Sequence, residues 1–350
     1  MNYENKLIVC SQSNPSSDMK ALIILFVLLM SVMSASAQSE LMLPLGADSL
    51  TEELRSADAV YWGYPTRLSG QVPELQCGQT TAGIGVFTIN ESGGQVTFSP
   101  GNLQYQASTG MWRFAEHQYD YVGDSVKGNV YENGVKCDNA LISSSYSGWI
   151  DLFGWGTSGW SSGANAYMPY STSTNYYDYY PGGNYLNNLT GVYARADWGV
   201  YNQIGADAAG TWRTLTESEW RYVLRSRANA SQLQGQGTVN GVAGFILLPD
   251  GWVAPAGISF TAGTDIGYTI NTYSLTQWAL LEQTGAVFLV ASGLRYEMFV
   301  NEVQSYTGYW SATSYGSNES AWNFDFASWG AFLIYAYREN GLSVRLVQDL

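Results

Sequence analysis

The stretch from Ser143 to Asp197 constrains the fold more than any other feature of the sequence, because it is dominated by glycine, serine, tyrosine, asparagine and tryptophan. Such a composition leaves little room for regular helices or strands. Disordered segments are poor in aromatic residues, yet this stretch carries Trp149, Trp155 and Trp160. We therefore predict a long loop region that is held to a core by buried rings.

Short strands joined by tight turns surround this region in the sequence. Residues 86–98 hold two β-rich runs separated by a turn, and residues 103–114 hold another two. Two uninterrupted apolar runs, 244–248 and 286–290, are typical of strands that are buried on both faces. We expect mainly antiparallel neighbours, since short turns can join only antiparallel strands.

Two capping boxes predict two short helices. In the pairs Thr216 with Glu219 and Ser274 with Gln277, each hydroxyl and each longer side chain can satisfy a free backbone N–H at the start of a helix. The second helix should end near Gly285, because glycine adopts the left-handed conformation that terminates helices. Short antiparallel strands with a few separate helices indicate the α+β class.

The N-terminal sequence predicts export. Residues 1–37 are interpreted as an over-extended start followed by a signal peptide, with an apolar run at 21–30 and a small-residue cleavage site at Ala35-Ser36-Ala37. That run is too short to span a bilayer comfortably, so we expect no stable membrane insertion after cleavage. Residues 38–83 form a lead-in segment to a single domain at 84–350. The expected location is extracellular or at the cell surface, with the periplasm as the alternative.

The cysteines fit an exported chain. Cleavage of the signal peptide would remove Cys10 and leave Cys77 and Cys137. Compartments outside the cytosol permit disulfides. The sequence leaves open whether these two residues form a bridge or remain as two thiols.

Charge and histidine content exclude several functional classes. A formal net charge of −14 repels phosphate backbones, so no nucleic-acid partner is expected. His117 is the single histidine, which excludes histidine-dependent catalytic triads and multi-histidine metal sites. Glycoside hydrolysis needs two carboxylates at a fixed separation, and no motif pairs the available ones. These carboxylates are Asp151, Asp178, Asp197, Asp325 and Glu339. We therefore expect a protein that is not an enzyme and requires no cofactor or metal.

The segment 315–340 contains the candidate binding residues. Trp322, Phe324 and Phe326 alternate, so in a strand they share one face, which we assign to the core, while Asn323 and Asp325 point the opposite way. Tyrosine and tryptophan supply contact area at a low entropic cost, and asparagine and serine supply adaptable hydrogen bonds, as in antibody combining sites. The alternative is that residues 329–337 only close the core. The predicted ligand-binding residues are Tyr315, Asn318, Asn323, Asp325, Ser328, Trp329, Phe332, Tyr335, Tyr337 and Asn340.

Several motifs in a fixed order resemble a known superfamily. They are Phe-Ser-Pro-Gly-Asn-Leu-Gln-Tyr at 98–105, Trp-Ile-Asp-Leu-Phe-Gly-Trp-Gly at 149–156, Trp-Arg-Thr-Leu-Thr-Glu-Ser-Glu-Trp-Arg-Tyr at 212–222, Leu-Leu-Pro-Asp-Gly-Trp at 247–252, Gly-Tyr-Trp-Ser-Ala-Thr-Ser at 308–314 and Gly-Leu-Ser-Val-Arg-Leu-Val at 341–347. Residues 84–350 thereby resemble the formylglycine-generating-enzyme-like branch of the C-type-lectin fold. Within that branch they look most like exported major paralogous domain proteins of gut bacteria.

This resemblance implies a C-type-lectin-like fold. Some members are variable proteins of diversity-generating retroelements, in which the segment between the last two motifs is mutated to change ligand specificity. The catalytic members use a cysteine pair in their C-terminal part, whereas this chain has no cysteine after Cys137. The Glu-Pro-Asn and Gln-Pro-Asp tripeptides of calcium-dependent sugar-binding lectins are also absent from the sequence.

The leading functional hypothesis is an exported recognition or adhesion protein that binds a surface protein or a glycan, with a C-terminal binding surface that the resemblance connects with diversification. Two alternatives remain open at this point. One is a degenerate or uncharacterised enzyme of the formylglycine-generating type. The other is a structural subunit of a surface appendage, which would donate or accept a strand during assembly.

Overall fold

The computed structural model describes residues 83–122, 142–297, 299–316 and 319–350. These residues belong to one compact unit, Thr80–Leu350. The predicted signal peptide, nearly all of the lead-in segment, all three cysteines and Asn318 lie outside the described residues.

The described chain contains mainly short strands and a few short helices. The strands are β1 (Phe87–Thr88), β2 (Gln95–Phe98), β3 (Leu103–Gln106), β4 (Met111–Phe114), β5 (Arg213–Thr214), β6 (Gln234–Val239), β7 (Val242–Leu247), β8 (Asn271–Tyr273), β9 (Val287–Val290), β10 (Leu294–Tyr296), β11 (Phe299–Asn301), β12 (Tyr306–Ser314), β13 (Ser320–Ala327), β14 (Gly330–Tyr337) and β15 (Leu346–Asp349). The α-helices are α1 (Trp198–Tyr201), α2 (Glu217–Arg221) and α3 (Leu275–Gln283). A π-helical turn (Tyr222–Ser226) follows α2, and the 3-10 turns are Tyr176–Tyr179, Pro181–Gly183, Gly191–Ala196 and Ala230–Gln232.

The strands form three main sheets and two separate hairpins. One four-stranded sheet has the order β1-β2-β15-β5, and a second has the order β8-β6-β7-β9. The third sheet, β12-β13-β14, is antiparallel throughout, and β3-β4 and β10-β11 are the hairpins. The β6–β8 pair is the parallel exception among these named strand pairs. This mixture of short antiparallel sheets and few helices agrees with the predicted α+β class.

Both predicted capping boxes are present. Thr216 and Glu219 satisfy each other's backbone N–H at the start of α2, and Ser274 and Gln277 do the same for α3. The sequence pattern missed α1, a single turn whose N-cap is Asp197. Within the described ranges no helix combines the length and the apolar character needed to cross a membrane.

The predicted loop region at 143–197 contains only 3-10 turns and isolated bridges. Trp155 is fully buried, and its indole N–H donates to the Ser311 carbonyl at 2.8 Å. Trp149 and Trp160 are only half-buried. Of the three tryptophans in the prediction, Trp155 therefore ties the loop most firmly to β12.

Two large apolar clusters pack against opposite faces of the β12-β13-β14 sheet. The first contains Phe324 and Phe326 of β13 together with Trp220 of α2. The second contains Trp310 of β12 and Ala321 of β13. The central strand β13 is consequently buried from both sides.

Strand β15 joins these layers because it lies between β2 and β5. Val347 pairs with Phe98 on one side and with Arg213 on the other. The neighbouring Leu346 is fully buried in the second cluster. The end of the chain therefore completes the first sheet and closes the core.

We predict that Leu346→Ala lowers the free energy of unfolding by about 2–5 kcal/mol, since it removes buried methyl groups and leaves a cavity. The matched control is Leu350→Ala, four residues further on, because the Leu350 side chain is 63% exposed and its backbone N–H still donates to the Gln95 carbonyl. This control should change stability by about 0.5 kcal/mol or less. Urea denaturation measures both variants, and equal effects would contradict the closing role of β15.

Candidate functional site

The hairpin formed by β13 and β14, here called the C-terminal hairpin, is fixed to the second sheet through its turn. The fully buried Gln236 of β6 donates its side-chain N–H to the Ala327 carbonyl at the turn. Its amide oxygen accepts from the backbone N–H of Gly267 at 2.7 Å. Both ends of the Gln236 amide are therefore satisfied, and its side chain ties the turn to β6.

Several predicted binding residues are exposed on this hairpin. Trp329 in the turn is 68% exposed, and Phe332, Tyr335 and Tyr337 of β14 are each about half exposed. Ser328 beside Trp329 is also exposed. The alternative prediction, that residues 329–337 only close the core, is therefore wrong for these four aromatic side chains. Whether they bind a ligand remains a prediction.

One exposed group is an aromatic stack at the open end of the hairpin. The Tyr315 and Tyr335 rings stack with centroids 4.1 Å apart, and Trp322 meets Tyr315 edge-on at 5.1 Å. Trp322, which the sequence pattern placed in the core, is only half-buried. The register pairs Trp322 with Tyr335, so both lie on the face of the sheet that carries Phe324.

A second exposed group, the turn patch, lies at the other end of the hairpin. The Trp329 and Phe332 rings have centroids 5.5 Å apart. Ile334 has the same parity as Phe332, so both lie on the face that carries Asn323 and Asp325. The predicted single aromatic surface is thus divided between two faces and two ends of the hairpin.

The predicted exposure of Asn323 and Asp325 is wrong. Asn323 is 0% exposed and Asp325 is 7% exposed. The alternation of β13 was assigned correctly, but the second apolar cluster covers the opposite face as well. A Cβ added at Gly308 would lie only 3.0 Å from the amide oxygen of Asn323 and 2.9 Å from a methyl group of Leu342, which shows how closely this face is packed.

Asp325 is a buried carboxyl with one side-chain hydrogen bond. The Tyr306 hydroxyl donates to it at 2.9 Å. Burial raises the pKa of Asp325 from 3.8 to about 6, and the hydrogen bond from Tyr306 acts in the opposite direction. Desolvation outweighs this single donor, so Asp325 gains its charge at a higher pH than an exposed aspartate would.

Two further predicted binding residues are less exposed than the aromatic side chains of β14 and its turn. Tyr315 and Asn340 are half-buried, and the Asn340 backbone N–H donates to the Tyr337 carbonyl. The sequence patterns did not identify Ile334 or Gln236. Only the tertiary structure shows that Ile334 is exposed and that Gln236 anchors the turn.

Two of the carboxylates considered for catalysis, Asp197 and Asp178, make structural hydrogen bonds. Asp197 accepts from the backbone N–H groups of Gly199 and Thr214 at 2.9 and 2.8 Å. Asp178 accepts from the Ser173 hydroxyl at 2.5 Å. Among the residues that the structure describes, no three side chains of histidine, cysteine, aspartate or glutamate converge on a metal site.

We predict that the stability difference between the wild type and Asp325→Asn depends on pH. The folded pKa of about 6 lies above the ordinary 3.8, so the folded state holds the proton more tightly between pH 4 and 6. The free energy of unfolding of the wild type, relative to the variant, should therefore fall by on the order of 2 kcal/mol as pH rises through this range and stay constant above it.

Urea denaturation at pH 4, 5, 6 and 7 measures this difference, and titrating groups that both proteins share cancel. Tyr306→Phe is the companion variant, because loss of its hydroxyl removes the donor that lowers the Asp325 pKa. The stability difference between Tyr306→Phe and the double variant Tyr306→Phe/Asp325→Asn should then keep falling to a higher pH than the difference between the wild type and Asp325→Asn. A difference that does not vary with pH would mean that the Asp325 carboxylate is hydrated.

Comparison with known proteins adds no assignment to this geometry. Searches against protein-family models, curated proteins and solved structures found no match.

Proposed function

We propose that this chain is an exported recognition protein with a C-type-lectin-like domain, which binds a surface protein or a glycan through its C-terminal hairpin. The observation that carries the proposal is the exposure of Trp329 and its neighbours on a hairpin whose turn is fixed by Gln236. Rigid scaffolds that present exposed aromatic rings lose little conformational entropy on binding.

The two exposed groups have different ligand chemistry. The stack of Tyr315 and Tyr335 offers flat rings with hydroxyl groups, which suit a sugar ring or a polar protein surface. The turn patch of Trp329, Phe332 and Ile334 offers apolar area, which suits an apolar protein surface. A ligand that spans the edge of the hairpin would contact both groups.

The fold and the export of the protein are parts of the same proposal. Short antiparallel sheets with two capped helices are compatible with a C-type-lectin-like domain. The export rests on the apolar run at 21–30 and the small residues at 35–37 of the sequence.

Burial limits which positions of the C-terminal hairpin could vary in the proposed diversification. Asn323 and Asp325 lie in the segment that the resemblance connects with diversification, but both are buried. Substitutions there would disturb the packing of β13, whereas Trp329, Tyr335 and Tyr337 protrude into solvent. We therefore place tolerated variation at the exposed positions of β14 and its turn.

We predict that the double variant Trp329→Ala/Tyr335→Ala retains the fold and weakens ligand binding about tenfold or more, because each aromatic group loses its most exposed ring. A glycan array and a panel of purified cell-surface proteins provide the candidate ligands, and surface plasmon resonance measures their affinities. The matched control is Met111→Ala, which truncates a half-exposed apolar side chain on β4.

The control should leave affinity unchanged, and thermal unfolding should show that both proteins fold. Loss of folding in the double variant would mean that the two rings serve mainly the stability of the hairpin and would contradict the proposal. Unchanged affinity for every ligand found would remove the C-terminal hairpin as the binding surface.

A further inference from the structure

Strand β14 is an edge strand with free backbone groups. It pairs with β13 and with no other strand of the described chain. The Arg338 N–H donates to the Glu319 carbonyl at 3.0 Å in the same register, so the even-numbered residues of β14 bond to β13. Ala331, Leu333 and Tyr335 therefore direct their N–H and carbonyl groups outward. Within the described ranges these groups have no hydrogen-bond partner.

A groove runs beside this edge. Its volume is about 210 Å³, and it is open to solvent. Ala331, Phe332 and Leu333 line the strand side, and Leu224, Arg225 and Thr264 line the far side. The free backbone groups thus lie beside an open groove that is lined by both apolar and polar side chains, as in sites where an extended peptide adds to a sheet edge.

Arg225 gives the groove a specific charge. It is exposed and lies in the π-helical turn Tyr222–Ser226. The other arginines of the described chain each contact a carboxylate, carbonyl, amide or aromatic ring, whereas Arg225 has none of these contacts there. An exposed guanidinium without a partner is suited to a carboxylate, which it can bind through two parallel hydrogen bonds.

We propose that the groove beside β14 binds an extended peptide segment of another protein, which pairs with the free edge of β14 and places one carboxylate against Arg225. This inference rests on the proposed recognition function and specifies the ligand class. The net charge of −14 repels a strongly acidic segment at long range. The expected peptide therefore carries one acidic residue among alternating apolar residues, whose side chains face Leu333 and Leu224.

The test uses a phage-displayed library of linear ten-residue peptides selected on the full chain. Selected peptides should share one aspartate or glutamate within an alternating run of valine, isoleucine or threonine. Fluorescence polarisation then measures their affinity for the wild type and for Arg225→Glu. This variant should bind about tenfold more weakly. Replacing the peptide carboxylate by lysine should restore binding to Arg225→Glu, because the charges are then exchanged.

A second variant tests the backbone edge. Ala331→Pro removes an outward N–H without touching the β13 ladder, and proline is tolerated at such edge positions. It should weaken peptide binding about tenfold, whereas Ala331→Gly keeps the N–H and should bind within about threefold of the wild type. Thermal unfolding checks that both variants fold, and the charge exchange at Arg225 decides the proposal where Ala331→Pro does not fold.

The outcomes separate this inference from the proposed function. Failure to select any peptide, or selected peptides that bind equally to the wild type and to Arg225→Glu, would overturn the peptide groove. Light scattering that shows a dimer, abolished by Ala331→Pro, would assign the edge to a second copy of the chain and also overturn it. Glycan or protein binding that depends on Trp329 and Tyr335 but not on Arg225 keeps the proposed function and rejects the groove. Peptide binding that follows the charge exchange, without any ligand for the aromatic rings, keeps the groove and rejects the aromatic surface.

Discussion

The insertion of β15 between β2 and β5 is the constraint on which the rest of the domain depends. Val347 pairs with Phe98 and with Arg213, so β15 joins strands from the beginning and the middle of the described domain in one sheet. Arg213 strengthens this junction because it bonds both Asp349 of β15 and Glu219 of the α2 capping box. The entropic cost of closing a loop grows only slowly with loop length, so burial of apolar surface can offset it even for strands this far apart in the sequence. Arg213 thus links the closing strand directly to the start of α2.

This closure determines which parts of the C-terminal hairpin reach solvent. The two apolar clusters pack on opposite faces of β13, so this strand is covered on both sides. Only the edge strand β14 and its turn remain free. Gln236 ties that turn to the neighbouring sheet, and the exposed rings of Trp329 and Tyr335 stand on a strand and turn that pair with the buried β13. A binding surface in this position would be pre-organised by the core beneath it.

Local sequence patterns predicted the helix starts and the strand alternation. They failed where contacts between distant parts of the chain determine whether a side chain is buried. The capping boxes at Thr216 and Ser274 predicted both longer helices, because the interacting groups lie within one turn. Alternation also assigned Phe324 and Phe326 to one buried face. It could not show that the opposite face, with Asn323 and Asp325, lies under a second apolar cluster built from distant residues such as Leu342. The polarity of Asn323 and Asp325 predicted that they are exposed, but tertiary packing buries both side chains. The groove at Arg225 likewise had no sequence pattern, since its two sides come from separate parts of the chain.

The free edge strand and the exposed aromatic rings would give the proposed recognition two parts with different sensitivity to mutation. The outward N–H and carbonyl groups of Ala331, Leu333 and Tyr335 belong to the backbone, so they persist when most side chains change. The rings of Trp329 and Tyr335 are side chains, so each substitution alters the surface that they present. Backbone pairing would then supply affinity that is largely independent of sequence, and the neighbouring side chains would select among ligands. Because both features lie on β14 and its turn, variation at the exposed positions would change the specificity of the proposed recognition surface while the closing strand β15 and the buried faces of β13 remain intact.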